Sequence, residues 1–331
     1  MRPNIYLIAQ KAGVSTATVS RVLNNKDIVA PQTREKVISV MRELDYLPSS
    51  LARGLASSKA SMVGILTINV ETAHYAKTVD ALSQELFKIG YSAVLCSTGG
   101  SIENNLKHLR MLISLGSSAI FSIGSVFRDT LSDHSVLSEY ADIPFIVNNC
   151  ILNAENSYSI VIDESYALKL CIEHLAGKGR RQIAYVKDAD SYSGRSKRDA
   201  FLACTHEMGL PTNRELVCET ERSIAGGAQA VDTLLQTGSP ISAIIFGDDI
   251  TAVGGMKRLQ ARGFRIPEDV AVIGFNNSCA SSCCTPSMTT VNTKIDSIAH
   301  LMVSTFQQVI GEADPSHLLM VTPELIVRES T

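Results

Sequence analysis

Tryptophan is absent from this 331-residue chain, and aromatic residues make up only 5% of it. A ligand held by indole stacking is therefore excluded, and any stacking falls to Tyr or Phe. No apolar run reaches the roughly 18 residues that a membrane helix needs, so no membrane partner is expected. The N-terminus lacks the basic-then-apolar layout of a secretory signal, which makes a cytoplasmic location the expectation. No C-x-x-C pair occurs among the eight cysteines, and no His pair lies near them at zinc spacing. The one cluster, Cys279, Cys283 and Cys284, reads as reduced thiols rather than as a metal site. Gly-x-Gly-x-x-Gly and Gly-x-Ser-x-Gly are both missing, so the chain has neither a dinucleotide loop nor a nucleophile elbow. An enzyme is not expected, and neither a catalytic residue nor a cofactor or metal is assigned.

What is present is unevenly placed. Residues 1–60 carry nine Lys or Arg against four Asp or Glu, a net of +5, which leaves −8 for the rest of a chain whose total is −3. A basic head on an acidic body suits phosphate binding by the head alone. Hydrophobic content of 45% with 19% charged residues favours a folded chain, and the length suits two or three domains.

Residues 4–24, NIYLIAQKAGVSTATVSRVLN, read as a helix-turn-helix. Asn4 is the expected N-cap of a first helix with Ile5, Ile8, Ala9 and Ala12 inward, and Gly13-Val14-Ser15 is the turn. Ser15 can cap a second helix whose Val19, Val22 and Leu23 face inward. Pro31 opens a third, running to about Leu44, with Val37, Val40, Met41 and Leu44 buried. After the break at Tyr46-Leu47-Pro48, residues 49–56 form a single short helical segment, and 57–61 a flexible linker.

From Met62 strands and helices alternate. Strands are expected at 62–68, 92–97, 118–123, 144–149, 158–163, 182–187, 242–247, 270–275 and about 318–327. Helices are expected at 75–89, 103–115, 165–177, 197–208, 225–236 and 250–262. This alternation implies parallel sheets flanked by helices, in two subdomains with a cleft between them.

The blocks IAQKAGVSTATVSRVLNN (8–25), LDYLPSSLARGLAS (44–57) and FGDDITAVGGMKRLQARGFRIPEDVAVIGFNN (246–277) resemble the lactose/galactose repressor family of bacterial transcription regulators, and the likeness runs along essentially the whole chain. The fold class expected is a small all-α helix-turn-helix head plus α/β, with two doubly wound parallel-sheet subdomains of periplasmic-binding-protein type. The expected domains are the DNA-binding head at 1–47, a hinge helix and linker at 48–61, and an effector-binding and dimerisation domain at 62–331. Within the last, the first subdomain takes about 62–160 and 291–320, and the second about 161–290 and 321–331. Resemblance implies a homodimer on double-stranded, pseudo-palindromic operator DNA, with a small-molecule effector in the cleft. No heptad helix follows the last strand, so no tetramerising tail is expected.

On the second helix, residues four apart share a face, so Thr16 with Ser20 and Ala17 with Arg21 make one outward strip. Arg21 can donate two bonds to guanine; Ala17 and the Thr16 methyl can touch a thymine methyl. Ser15, Thr18, Ser20 and Asn24 suit phosphate oxygens, although Thr18 also suits support of the turn. By resemblance, Thr33 and Arg34 add phosphate contacts, and Leu55 is a wedge between base steps in the minor groove. Arg53 is expected on the DNA backbone or in the minor groove. A helix as short as 49–56 is unstable alone, and resemblance implies that it orders when two copies meet over DNA. Two departures stand out. Ser49 replaces a common asparagine. Leu7 replaces the acid of the usual capping box, leaving half of that box at Asn4.

Effector residues are sought in loops at the carboxyl ends of strands. Asn69, His74, Tyr75, Asn149, Asp248 and Asn276 lie there and match family positions that contact ligand. Counting from Phe201, the family's cleft arginine is replaced by Lys197, flanked by Arg195 and Arg198; which cation faces the cleft is open. Asn276 replaces a more usual aspartate. Asp249 is read as ordering its own loop, and Asp163 as bonding backbone near the crossover. Such a polar pocket suits a sugar or sugar derivative. The leading reading is a repressor of a carbohydrate-use operon whose operator affinity the ligand shifts. The alternatives are a regulator answering a non-sugar metabolite or partner protein, and a ligand-binding module without regulation. Arg21→Ala is expected to relax sequence preference at one symmetric base pair, by roughly 1–3 kcal/mol; an unchanged binding-site profile on a randomised operator library would reject that assignment.

Overall fold

The structure, a computed structural model, describes residues 4–23, 29–44, 62–132, 134–211 and 214–331. Asn24, Arg53, Leu55, the hinge at 49–56 and the linker at 57–61 lie outside the described residues. The chain separates into two compact units, the head and the body from residue 63 onward.

The head contains α1 (Ile5–Ala12), α2 (Thr16–Leu23) and α3 (Pro31–Glu43). Asn4 caps α1 by accepting from the Leu7 N–H at 2.9 Å. Gly13 ends it in the left-handed region at φ 62°, where a side chain would be strained. Ser15 Oγ accepts the Thr18 N–H at 3.1 Å, the cap expected for α2. Ile8, Ala9, Ala12, Val19, Val22, Val37 and Val40 form the small core, with Ile5, Leu23, Met41 and Leu44 packed at its edge rather than fully buried.

The body holds twelve strands among the described residues: β1 (Met62–Thr67), β2 (Ser92–Ser97), β3 (Ile120–Ile123), β4 (Phe145–Asn148), β5 (Ser157–Ile162), β6 (Ile183–Lys187), β7 (Val217–Glu219), β8 (Ala243–Phe246), β9 (Ala271–Phe275), β10 (Thr289–Asn292), β11 (Leu318–Val321) and β12 (Glu324–Ile326). They make two six-stranded sheets, ordered β11-β5-β4-β3-β1-β2 and β12-β10-β9-β8-β6-β7. The pair β10–β12 is antiparallel. The central pairs β1–β3, β3–β4 and β4–β5 in one sheet, and β6–β8, β8–β9 and β9–β10 in the other, are parallel. Strands covered on both faces by helices read as unbroken apolar runs, and β3, β4, β8 and β9 are buried throughout. The chain passes between the lobes after β5, after β10 and after β11.

Three features differ from the sequence expectation. The stretch 318–327 is two strands in different sheets, because Pro323 lacks the N–H that would continue a ladder. The helix expected at 197–208 begins at Tyr192, where Ser191 Oγ caps it by accepting the Gly194 N–H; its polar first turn masks the helical period. Strands β7 and β10, the short helices Phe127–Leu131, His134–Glu139 and Cys279–Cys283, and the helix Ile295–Ile310 were not foreseen. That helix returns to the first lobe and buries Ile298, Met302 and Phe306 against Leu82 and Leu86.

In the second lobe, helices Ile224–Gln236 and Asp249–Ala261 approach unusually closely. A Cβ on Gly227 would lie 1.9 Å from the Thr251 carbonyl oxygen, and one on Gly254 2.0 Å from that of Ile224. Both obstacles are backbone, so neither can rotate away. This approach sets the N-termini of the two helices side by side at the carboxyl edge of the sheet. Gly227→Ala is therefore expected to destabilise the protein by about 2 kcal/mol or more; a urea midpoint equal to that of the unsubstituted chain would contradict it.

Candidate effector cleft and DNA-reading helix

On α2, Ser15, Ala17 and Arg21 are exposed, and Thr16, Thr18 and Ser20 are half-buried. Ser15 Oγ and Thr18 Oγ1 also lie 2.9 Å apart, so both hydroxyls take part in the turn. Thr33 and Arg34 occupy the first turn of α3 and are half-buried. Lys11 on α1 pairs with Glu43 on α3 at 2.7 Å. Both are exposed, so the pair contributes under about 1 kcal/mol.

In the body, the sequence-selected residues fall at the carboxyl ends of the strands, as the sheet topology requires. Asn69 Oδ1 accepts the N–H groups of Glu71 (3.1 Å) and Thr72 (2.9 Å) and so shapes the turn into helix Ala73–Lys88. His74 and Tyr75 follow in that helix's first turn. Asn149 adopts φ 61°, and its Oδ1 accepts from the Ile162 N–H at 3.4 Å. Asp248 caps helix Asp249–Ala261 by accepting the Ile250 N–H at 2.9 Å, and its second oxygen accepts from Asn276 Nδ2 at 2.8 Å. An aspartate at 276 would oppose Asp248 with a like charge; the asparagine donates to it instead.

The structure resolves the choice among the three cations. Arg195 points outward to Asp190 at 3.1 Å, and Arg198 to Asp199 at 2.8 Å. Lys197 is buried, donates to the Gly247 carbonyl at 2.9 Å and lies 4.3 Å from the Phe275 ring centre. Asp249 accepts from the Ser278 N–H and the Thr290 hydroxyl, both at 2.6 Å, as a loop-ordering role requires. Asp163 caps helix Glu164–Gly177 through the Tyr166 N–H.

The sequence reading left Arg195 and Arg198 as the candidate arginines, but the structure brings a different one to the carboxyl ends of the strands. Arg222, in the loop after β7, places its guanidinium 3.5 Å from Asp188 and 3.8 Å from Asp248, whose side chains are 2% and 8% exposed. Burial opposes its charge, but the two carboxylates and Tyr75 outweigh that and raise its pKa. The signal was hidden because β7 has only three residues, so its carboxyl-end loop was not recognised. Asp188, at the end of β6, was within reach of the rule that selected Asp248. It accepts from Thr251 Oγ1 at 2.9 Å.

The two lobes meet around this group. The Ser193 N–H donates to Ser125 Oγ at 3.2 Å, and the Arg128 guanidinium lies 4.1 Å over the Tyr192 ring. Buried Glu164 bonds the Ser193 hydroxyl; burial raises its pKa against the pull of Lys197. Three buried polar atoms here have no protein partner: His74 Nδ1, Tyr185 Oη and Arg222 Nε. Burial, followed by Arg222, Lys197 and Lys77, lowers the His74 pKa to about 3, so it is neutral at physiological pH. A cavity of about 130 Å³ remains beside the crossover, lined by residues including Asn149, Glu164, Tyr192 and Ser196. That is room for roughly four waters. A larger cavity of about 500 Å³ lies elsewhere, at the amino ends of β4 and β5 around Pro144 and Asn156.

Residues 4–49 match the family model of bacterial regulatory proteins, lacI family, and 172–331 that of a periplasmic binding protein-like domain. An HTH-type transcriptional regulator of Lachnoclostridium phytofermentans is 32% identical over 330 residues, 99% of each chain. The chain belongs to the lacI family. The HTH-type transcriptional repressor PurR of Pasteurella multocida is 26% identical, over 98% of this chain and 97% of its own. Among solved structures, a lac repressor dimer bound to operator and the anti-inducer ONPF has the same fold, with a TM-score of 0.88, 23% identity and coverage of 100% and 99%. A transcriptional regulator CelR–cellobiose complex matches with a TM-score of 0.71 at 24% identity over the whole of both chains. This lacI-family chain is thus a helix-turn-helix transcriptional regulator with a periplasmic-binding-like ligand domain, and its relatives are regulators rather than enzymes. Among the described residues no helix is long and apolar enough to cross a membrane.

Burial raises the Asp249 pKa from 3.8 to about 7, despite the hydrogen bonds that oppose the shift. Between about pH 4 and pH 7 the folded chain keeps a proton that the unfolded chain has released, so this group makes stability fall as pH rises through that window. Asp249→Asn is expected to flatten the decline of melting temperature from pH 4 to pH 7; a decline as steep as in the unsubstituted chain would reject the assignment.

Proposed function

We propose that the protein is a cytoplasmic, homodimeric repressor of a carbohydrate-use operon, released or engaged by a sugar in the inter-lobe cleft. Thr16, Ala17, Arg21 and Leu55 would contact bases. Ser15, Thr18, Ser20, Asn24, Thr33, Arg34 and Arg53 would contact phosphates. In the cleft, His74, Tyr75, Asn149, Lys197, Asp248 and Asn276 would face the sugar, with Asn69 shaping the loop beside them.

The observation that carries the sugar reading is the charge balance of the cleft. Asp188 and Asp248 are matched by Arg222 and Lys197, burial pushes the Glu164 carboxyl up towards its neutral form, and His74 is neutral. A charged effector would upset that balance in a buried site, at a cost of several kcal/mol. A hydroxyl-bearing neutral ligand would not, because each hydroxyl can donate to a carboxylate and accept from a guanidinium. The unpartnered His74 Nδ1 and Tyr185 Oη add further polar atoms that a polyol can satisfy.

A thermal-shift screen of the full chain tests this. Neutral mono- and disaccharides are expected to raise the melting temperature, at 100 times Kd by the equivalent of about 2.7 kcal/mol, and to change mobility on an operator fragment. Stabilisation by nucleobases or phosphorylated sugars, with none from neutral sugars, would overturn the sugar reading.

A further inference from the structure

The cavity of about 500 Å³ at the amino edge of the first lobe has no part in the effector cleft. Pro144 and Asn149 flank the four residues of β4, so a strand length, roughly 16 Å, separates it from the cleft residues at the other edge. Its volume falls within the roughly 300–1,000 Å³ of small-molecule sites. Leu137, Pro144 and Val309 supply apolar walls, drawn from helix His134–Glu139, the entry to β4 and the end of helix Ile295–Ile310. Asn156 is locked in place. Its Nδ2 donates to the carbonyls of Leu137 (3.3 Å), Tyr140 (3.0 Å) and Ile143 (3.0 Å), which leaves Oδ1 without a partner among the described residues. Tyr158 also lines the cavity. It is only 8% exposed, its ring is stacked on His317 with centres 4.9 Å apart, and its hydroxyl has no hydrogen-bond partner among the described residues. The charge of the lining is one-sided. Asp142 and Glu155 stand exposed at the rim, neither in an ion pair with a described residue, and no lysine, arginine or histidine joins them in the lining.

We propose that this cavity is a second ligand site, separate from the effector cleft, and that it takes a small organic cation, a protonated amine on an apolar body. The body rests against Leu137, Pro144 and Val309. The ammonium carries donors only, and the cavity offers it acceptors: two carboxylates, Asn156 Oδ1 and the Tyr158 hydroxyl. The hydroxyl and the amide oxygen distinguish this cavity from a patch of surface acids. A polar group held out of water without a partner weakens the fold, and a ligand N–H removes that penalty. An anion of the same shape is opposed by Asp142 and Glu155, and a neutral alcohol gains nothing from them. Because every lining residue belongs to one lobe, the site is independent of what the cleft binds.

The composition supplies a clean readout. With no tryptophan in the chain, an indole ligand excited to the red of the tyrosine band fluoresces against a silent protein. The probes are tryptamine, its neutral analogue tryptophol and its anionic analogue indole-3-acetate. Each is titrated with the full chain at low salt, without sugar or DNA, and followed by fluorescence anisotropy. Tryptamine is expected to bind saturably, and indole-3-acetate not at all. Tryptophol is expected to bind about tenfold more weakly than tryptamine, and Asp142→Asn combined with Glu155→Gln to bring tryptamine down to the same level. Tyr158→Phe is expected to weaken tryptamine by about fivefold, the loss of roughly one hydrogen bond. Glu103→Gln combined with Glu207→Gln, which removes two exposed charges elsewhere, is expected to change nothing. Equal affinity for the three probes, or no saturable binding of tryptamine at millimolar concentration, would overturn the proposal. So would an affinity that the rim pair and Tyr158→Phe leave unchanged, or that the control pair lowers as much as the rim pair does. If Tyr158→Phe melts earlier than the unsubstituted chain, the exposed rim pair decides alone.

Discussion

One guanidinium between two buried carboxylates is the constraint on which the body of this protein depends. Unpaired, Asp188 and Asp248 would each face the penalty of a charge in a dry site, several kcal/mol apiece. Their common partner comes from the loop after β7, which pairs with β6, so three neighbouring carboxyl-end loops of one sheet meet at a single guanidinium.

That arrangement exists because two helices are allowed to touch. Glycines at 227 and 254 bring the backbones of Ile224–Gln236 and Asp249–Ala261 into contact, because a Cβ at either would run into a carbonyl oxygen of the facing helix. The two N-termini then lie together, each capped by its own side chain, Ser223 and Asp248. Arg222 immediately precedes one cap and meets the other. Gly247 belongs to the same device, since a Cβ there would come within 2.7 Å of the Asp188 carboxylate.

The family scaffold is kept while its chemistry is altered in a compensated way. Lys197, in place of an arginine, no longer offers a fork; it donates to one carbonyl and rests on Phe275. Asn276, in place of an aspartate, removes a negative charge and donates to Asp248. The arginine missing from one wall reappears on another as Arg222. The net charge of the cleft stays near zero, with the donors and acceptors rearranged.

Local signals determined the head. Asn4, Gly13, Ser15 and Pro31 act through bonds or fixed dihedrals within a few residues, so caps, turn and helix order could be read from the string. The same holds for the buried strands and for the placement of Asp248 and Asn276, which follow from alternation and the carboxyl-end rule, whereas Lys197 came from the family pattern counted from Phe201. Short strands such as β7, the division of 318–327 at Pro323 and the polar first turn at Tyr192 escaped, because their period is too brief or masked. The meeting of Arg222 with Asp188 and Asp248 was decided by tertiary structure alone. These residues lie far apart in the chain, and only the close helix contact and the adjacency of β6, β7 and β8 bring their charges within 4 Å, where burial makes each depend on the others.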